Sequence, residues 1–201
     1  MKRDLAIIIP AYKIDFFRKT LDSLSAQTCK DFTVYVGDDC SPADFKGLID
    51  KYQNQLDIHY TKFETNLGGK DLVAQWERCV DLSHGEPWLW LFSDDDELEP
   101  NCVEQFYKTI AENRDTSLVH FDVKVIDGDG NAVTNKQFVK EDFADHYTAK
   151  EYAKARLQYK INSFVVEYVF RRDTFMMCGR FQNFDMAWGS DDATWVKLSK
   201  D

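Results

Sequence analysis

The sequence predicts an α/β fold, a mostly parallel sheet flanked by helices. Strand and helix patterns alternate four times between Leu5 and about Ile110. The strands are short continuous apolar runs, as expected where helices cover both faces of a sheet. The intervening stretches carry apolar residues at helical spacing.

In order, Leu5–Tyr12 (LAIIIPAY) is a first buried strand, stopped by Pro10. Asp15 is placed to cap a helix whose buried stripe is Phe17, Leu21 and Leu24. Phe32–Asp39 (FTVYVGDD) is a second strand ending in acid. Ser41-Pro42-Ala43-Asp44 has the pattern of a helix start, with Ser41 as cap and Pro42 at the first helical position. Phe45, Leu48, Ile49, Tyr52 and Leu56 form the buried stripe that follows. DIHYTKF is a third strand, and Asn66-Leu67-Gly68-Gly69 a turn before a helix carrying Leu72, Val73, Trp76 and Val80. Trp88–Phe92 is a fourth strand, running into Ser93-Asp94-Asp95-Asp96, and Pro100 opens a helix with Val103, Phe106, Tyr107 and Ile110 inward.

After about Asp115 the rhythm changes to a smaller mixed α+β portion. SLVHFDVKVI is expected as a strand, Asp127-Gly128-Asp129-Gly130 as a hairpin turn and SFVVEYVFRR as another strand. Thr148 and Glu151 have capping-box spacing. Ser190 is expected to cap a final helix, in which the chain stops, the pattern of a trimmed piece.

The bulk properties narrow the classes. The 201 residues suit one domain with at most a small addition, and net charge −10 argues against a general nucleic-acid binder. Five scattered cysteines form no CxxC pair, which fits a reducing, cytoplasmic compartment rather than a disulfide framework or a zinc site. Met1-Lys2-Arg3 before LAIII imitates a signal peptide, but Asp4 and Pro10 bound the apolar run too tightly. No window is long enough to cross a bilayer, so any membrane association would be peripheral, at the inner face.

The informative feature is acid at strand ends. Open α/β sheets bind ligands beyond the carboxyl ends of their strands, and two strands here end there in Asp38-Asp39 and Asp94-Asp95-Asp96. Clustered carboxylates raise each other's pKa, a conflict that a divalent cation removes. Mn2+ or Mg2+ takes one or two carboxylates and completes its shell with water and phosphate, so the cluster points to a metal bridging to a diphosphate. The competing reading is an acidic helix cap or solvated loop. Tyr12 is placed either to stack on a base or to pack at the sheet edge. The NLGG turn either presents N–H groups to an anion or simply turns the chain. Asp191 and Asp192 are either helix N-terminal acids or a general base walled by Trp188 and Trp195.

The segments AIIIPAYK, LSAQT, FTVYVGDDCS, NLGG, WLWLFSDDDELEPN and GSDDATW, in this order, resemble family 2 glycosyltransferases of the GT-A fold over nearly the whole chain. The resemblance implies inverting, metal-dependent transfer of a sugar from a nucleotide-diphosphate donor, UDP favoured, to a glycan or lipid-linked acceptor in polysaccharide or cell-surface glycan synthesis. It implies a nucleotide-sugar half at 1–114 and an acceptor half at 115–201. By position, Pro10 and Tyr12 would border the nucleoside, Asp39 the base edge and Asp94 the ribose. The DxD motif falls on Ser93-Asp94-Asp95, making Asp95 the metal ligand, with Mn2+ or Mg2+ as the ion. Asp192, or failing it Asp191, would be the base. The alternatives are a non-catalytic sugar-nucleotide-binding module, a nucleotidyltransferase and a phosphoacceptor receiver domain.

Overall fold

A computed structural model of the chain describes residues 3–133, 144 and 146–199. Part of the expected acceptor-selecting stretch, residues 134–143 and 145, lies outside the described residues, as do Met1 and Lys2. The strands are β1 (Leu5–Ala11), β2 (Phe32–Asp38), β3 (Ile58–Lys62), β4 (Trp88–Leu91), β5 (Leu118–His120) and β6 (Tyr168–Arg171). The helices are α1 (Phe17–Ser25), α2 (Phe45–Ile49), α3 (Leu72–Val80), α4 (Cys102–Glu112), α5 (Ala149–Leu157), α6 (Arg172–Met177) and α7 (Ser190–Leu198).

The strands form one sheet in the order β3-β2-β1-β4-β6-β5. The first four in that order run parallel, and β6 is antiparallel to both β4 and β5. The α/β expectation is met. Both sides of the expected boundary near 115 contribute strands to this one sheet.

The apolar runs explain the layering. Alternate residues of β1 serve opposite faces. Leu5, Ile7 and Ile9 join Phe17, Phe45 and Phe106 on one side, and Ala6 and Ile8 join Trp76, Phe170 and Trp195 on the other. With both faces covered, β1 and β4 have no polar alternation for the sequence to display. Full burial of each Ile or Leu is worth about 1.5–3 kcal/mol.

Several local expectations are corrected. Asp15 caps nothing, because α1 opens at Phe17 after Phe16 without a side-chain cap. Asp44, not Ser41, caps α2, accepting from Gly47 N at 2.9 Å. Ser41 Oγ instead donates to Tyr12 O at 2.7 Å, joining the ends of β1 and β2. Ser190 is the first residue of α7, and its Oγ accepts from Phe184 N. The long strand expected from Ser117 ends at His120, and the chain turns into a hairpin closed by Ile126 and Ala132. The strand expected from Ser163 begins with a 3-10 turn, Val165–Glu167, which tucks Glu167 inside against His120. The Thr148–Glu151 capping box forms as expected.

Candidate active site at the carboxyl edge of the sheet

Strands β1, β2, β3 and β4 deliver their carboxyl ends to one edge. The Trp90–Val169 register brings Tyr168, the first residue of antiparallel β6, to the same edge.

The two acids after β2 look alike in sequence and are used differently. Asp38, fully buried, accepts from Ser41 N at 2.7 Å and Tyr60 Oη at 2.5 Å, which fixes the turn out of the strand. Asp39, 4 % exposed, straps down the NLGG turn. It accepts from Leu67 N at 2.7 Å, Gly68 N at 2.9 Å and Asn66 Nδ2 at 3.0 Å, and it pairs with Arg78 of α3. A Cβ on Gly68 would stand 2.9 Å from Asp39 Oδ2, so only glycine lets the backbone come this close. Asp39→Ala would take the carboxylate from Arg78 and leave two amides without their acceptor. The expected cost is on the order of 3 kcal/mol, read as a lower denaturant midpoint.

After β4, Asp94 crosses to β1: Oδ2 accepts from Tyr12 N at 2.7 Å and Lys13 N at 2.8 Å. Burial pushes its carboxyl above the usual range, against the pull of those two donors. This contact brings the acidic loop onto the end of β1, beside Pro10 and the half-exposed ring of Tyr12. Asp95 is exposed and is oriented by Ser93, whose Oγ donates to Oδ1. Burial, then the charges of Asp95 and Asp94, push Asp96 up to about 6. A cleft of about 680 Å³, lined in part by Lys19, Asp96, Phe121 and Lys124, opens beside this loop.

Two contacts tie α7 and the segment before it to residues near this edge. Trp195 stacks on Tyr168 with ring centroids 4.7 Å apart, and Asn183 Nδ2 donates to Asp71, the cap of α3, at 3.3 Å. The two α7 acids again differ. Asp192 is held in a fork by Arg156 of α5, with Nε to Oδ1 and Nη2 to Oδ2 both at 2.8 Å. Tyr152 Oη adds a third bond to Oδ1 at 2.8 Å. Burial drives the Tyr152 phenol far up, so it donates as a neutral hydroxyl. Burial opposes the Arg156 charge, but the Asp192 pair outweighs it and holds the guanidinium pKa above its usual value. Asp191 is pushed up to about 6, by burial first and by the Asp192 charge second. Trp188 is 80 % exposed and walls neither acid, whereas Trp195 is fully buried.

Sequence reasoning missed Arg78, Arg156 and Tyr152. Each lies more than thirty residues from its acid, and nothing in the spacing announces the pairing.

The model of the glycosyl transferase family 2 matches residues 6–182, stopping short of α7. Poly(ribitol-phosphate) beta-N-acetylglucosaminyltransferase TarS of Staphylococcus aureus is 33% identical over 95 residues, 46% of this chain and 16% of that protein. The uncharacterized glycosyltransferase MJ1057 of Methanocaldococcus jannaschii is 28% identical over 144 residues, 71% of this chain and 48% of that protein. Among solved structures, S. aureus TarS 1-349 in complex with UDP superposes with a TM-score of 0.72 at 19% identity, over 98% of this chain and 55% of that one. The same protein with UDP-GlcNAc gives 0.69 at 21% identity, over 89% and 48%. Mannosyltransferase PcManGT from Pyrobaculum calidifontis, in complex with GDP-Man and Mn2+, gives 0.64 at 14% identity, over 98% and 52%. The chain thus spans about half the length of these solved chains, and 16% and 48% of the two curated relatives. Among the described residues, no helix is long and apolar enough to cross a membrane.

Proposed function

The chain belongs to the glycosyl transferase family 2, and from that premise we propose that it transfers a sugar from a UDP-sugar to an acceptor hydroxyl with inversion. The acceptor is a glycan or a lipid-linked sugar, reached from the cytoplasmic side of a membrane. The observation that carries the reading is the Asp94 bridge. It draws the acidic loop after β4 onto the amides of Tyr12 and Lys13, where the Tyr12 ring is free to stack on a base.

In this reading Pro10 and Tyr12 border the uracil, and Asp39 serves its edge through the turn it straps. Asp94 Oδ1, the oxygen not engaged by the two amides, faces the ribose. The donor set fits Mn2+ or Mg2+. Among the described residues no three metal-ligating side chains converge. The exposed Asp95, preset by Ser93, suits an ion completed by water and diphosphate. Such an ion would neutralise charge on the departing diphosphate.

The base role goes to Asp191 rather than Asp192. Both oxygens of Asp192 are already taken, by Arg156 and Tyr152, so neither is free to meet an acceptor hydroxyl. Asp191 is half-buried and pushed up to about 6, a value suited to a base near neutral pH. It takes the acceptor's proton as that oxygen attacks the anomeric carbon and the bond to the diphosphate breaks on the opposite face. Asp192 and Arg156 hold the start of α7 in place.

A thermal-shift panel of nucleotide sugars, with and without Mn2+, tests the donor site. UDP-GlcNAc and GDP-mannose enter it because the TarS and Pyrobaculum structures hold them. UDP-sugars should raise the midpoint, and more so with Mn2+. No shift with any donor would sink the reading. Binding without transfer or hydrolysis would leave a sugar-nucleotide-binding module, and pyrophosphate release would mean a nucleotidyltransferase.

A further inference from the structure

We propose that the Phe184–Trp188 turn is a carbohydrate platform for the acceptor, with Trp188 as its main contact. The inference deepens the transferase reading and rests on it.

Of the five tryptophans, Trp76, Trp88, Trp90 and Trp195 are at most 9% exposed, while Trp188 is 80% exposed. Met186 beside it is 83% exposed and Phe184 46%. Clustered exposed apolar side chains mark an interaction surface.

The turn is built rather than loose. Ala187 N donates to Phe184 O at 2.9 Å, Trp188 N to Asp185 O at 3.3 Å, and Phe184 N to Ser190 Oγ at 3.1 Å. Met186 and Ala187 both sit in the left-handed region, at φ 57° and 58°, followed by Gly189 at 70°. Two consecutive side-chain-bearing residues there cost on the order of 1–3 kcal/mol each. Burial of Met186 and Trp188 does not offset that cost; the hydrogen bonds of the turn hold both side chains outward.

Position and charge identify the occupant. Trp188 lies three residues before Asp191, so their Cα atoms are at most about 11 Å apart. A ring on the indole would have its hydroxyls within reach of the base. The C–H face of a pyranose is apolar and matches an indole face, and its hydroxyls suit the flanking Asp185 and Asp191. From Phe184 to Val196 the segment carries no basic residue; Asp192 is paired with Arg156, but Asp185 and Asp191 have no such partner within the segment, so an anionic lipid surface would be repelled.

The test is calorimetric titration of chitotriose, cellotriose and maltotriose into the UDP- and Mn2+-loaded chain, beside sedimentation with phosphatidylglycerol vesicles. At least one trisaccharide should bind the parent. Trp188→Ala should weaken it at least tenfold and Trp188→Phe should restore most of the loss, with UDP affinity and thermal midpoint unchanged. Equal binding by Trp188→Ala, binding of no trisaccharide, or capture of the parent by vesicles through Trp188 overturns the platform. UDP affinity is measured separately. Its absence in the parent would sink the transferase reading, whatever the trisaccharides do.

Discussion

Asp191→Asn is expected to lower sugar transfer by at least about 100-fold, the low end for losing a positioned base. Its UDP affinity should match the parent's, because Asp191 touches no part of the proposed donor site. The same reasoning fixes a pH dependence. The base must be ionised to accept a proton, so kcat/KM of the parent should rise with pH through about 6, where burial and the Asp192 charge place this carboxyl. The stability sign is opposite. A carboxyl raised from 3.8 to about 6 on folding binds more protons folded than unfolded in that window, so stability is lost as pH rises through it. At pH 7 the asparagine variant should therefore be more stable than the parent, by up to about 3 kcal/mol before solvent screening is discounted. A variant that loses catalysis while gaining stability separates a chemical role from a structural one. Asp192→Asn is the contrast. It breaks the Arg156 fork and the Tyr152 bond, so it should cost on the order of 1–2 kcal/mol. It also removes the charge that raises Asp191, moving the rate limb to lower pH. If Asp192→Asn abolished transfer and Asp191→Asn did not, the base role would return to Asp192.

Asp95→Asn is expected to lower transfer by about 10²–10³-fold, the usual cost of removing a group that stabilises developing charge. Asp95 is exposed, and among the described residues its side chain is hydrogen-bonded to Ser93 alone, so the thermal midpoint should barely move. What should change is the cation dependence, with half-saturation by Mn2+ moving at least tenfold higher. Asp94→Asn is the companion that should behave differently. Its carboxylate holds two β1 amides, so that variant should lose stability together with UDP affinity. An unchanged Mn2+ titration in Asp95→Asn would remove this residue from metal binding and shift attention to Asp96.

The parts of the molecule that were legible in the sequence are those decided by local pattern. β1, β2 and β4 announce themselves as apolar runs because each is covered on both faces. The Thr148–Glu151 box and the Asp127–Gly130 turn are local chemistry and form where expected. Helix starts were less legible where several capping residues compete. Ser41 and Asp44 both qualify for α2, and Ser41 is taken by a contact to Tyr12 that lies far away in sequence. That two acidic strand ends would share one sheet edge was legible from the alternating pattern, and the structure brings them there. The division of labour within each acid pair was not legible, because it depends on partners contributed by distant helices. Arg78 engages Asp39 and Arg156 engages Asp192, while burial and then the Asp192 charge raise Asp191.

Inverting transfer with Asp191 as the base can be read with water as the acceptor. The chain is incubated with the UDP-α-sugar that gives the largest thermal shift, without acceptor, and proton NMR follows the sugar released before mutarotation. The β-anomer should appear first in the parent, and release should be at least about 100-fold slower in Asp191→Asn. The α-anomer appearing first, or an Asp191→Asn rate equal to the parent's, would contradict this reading.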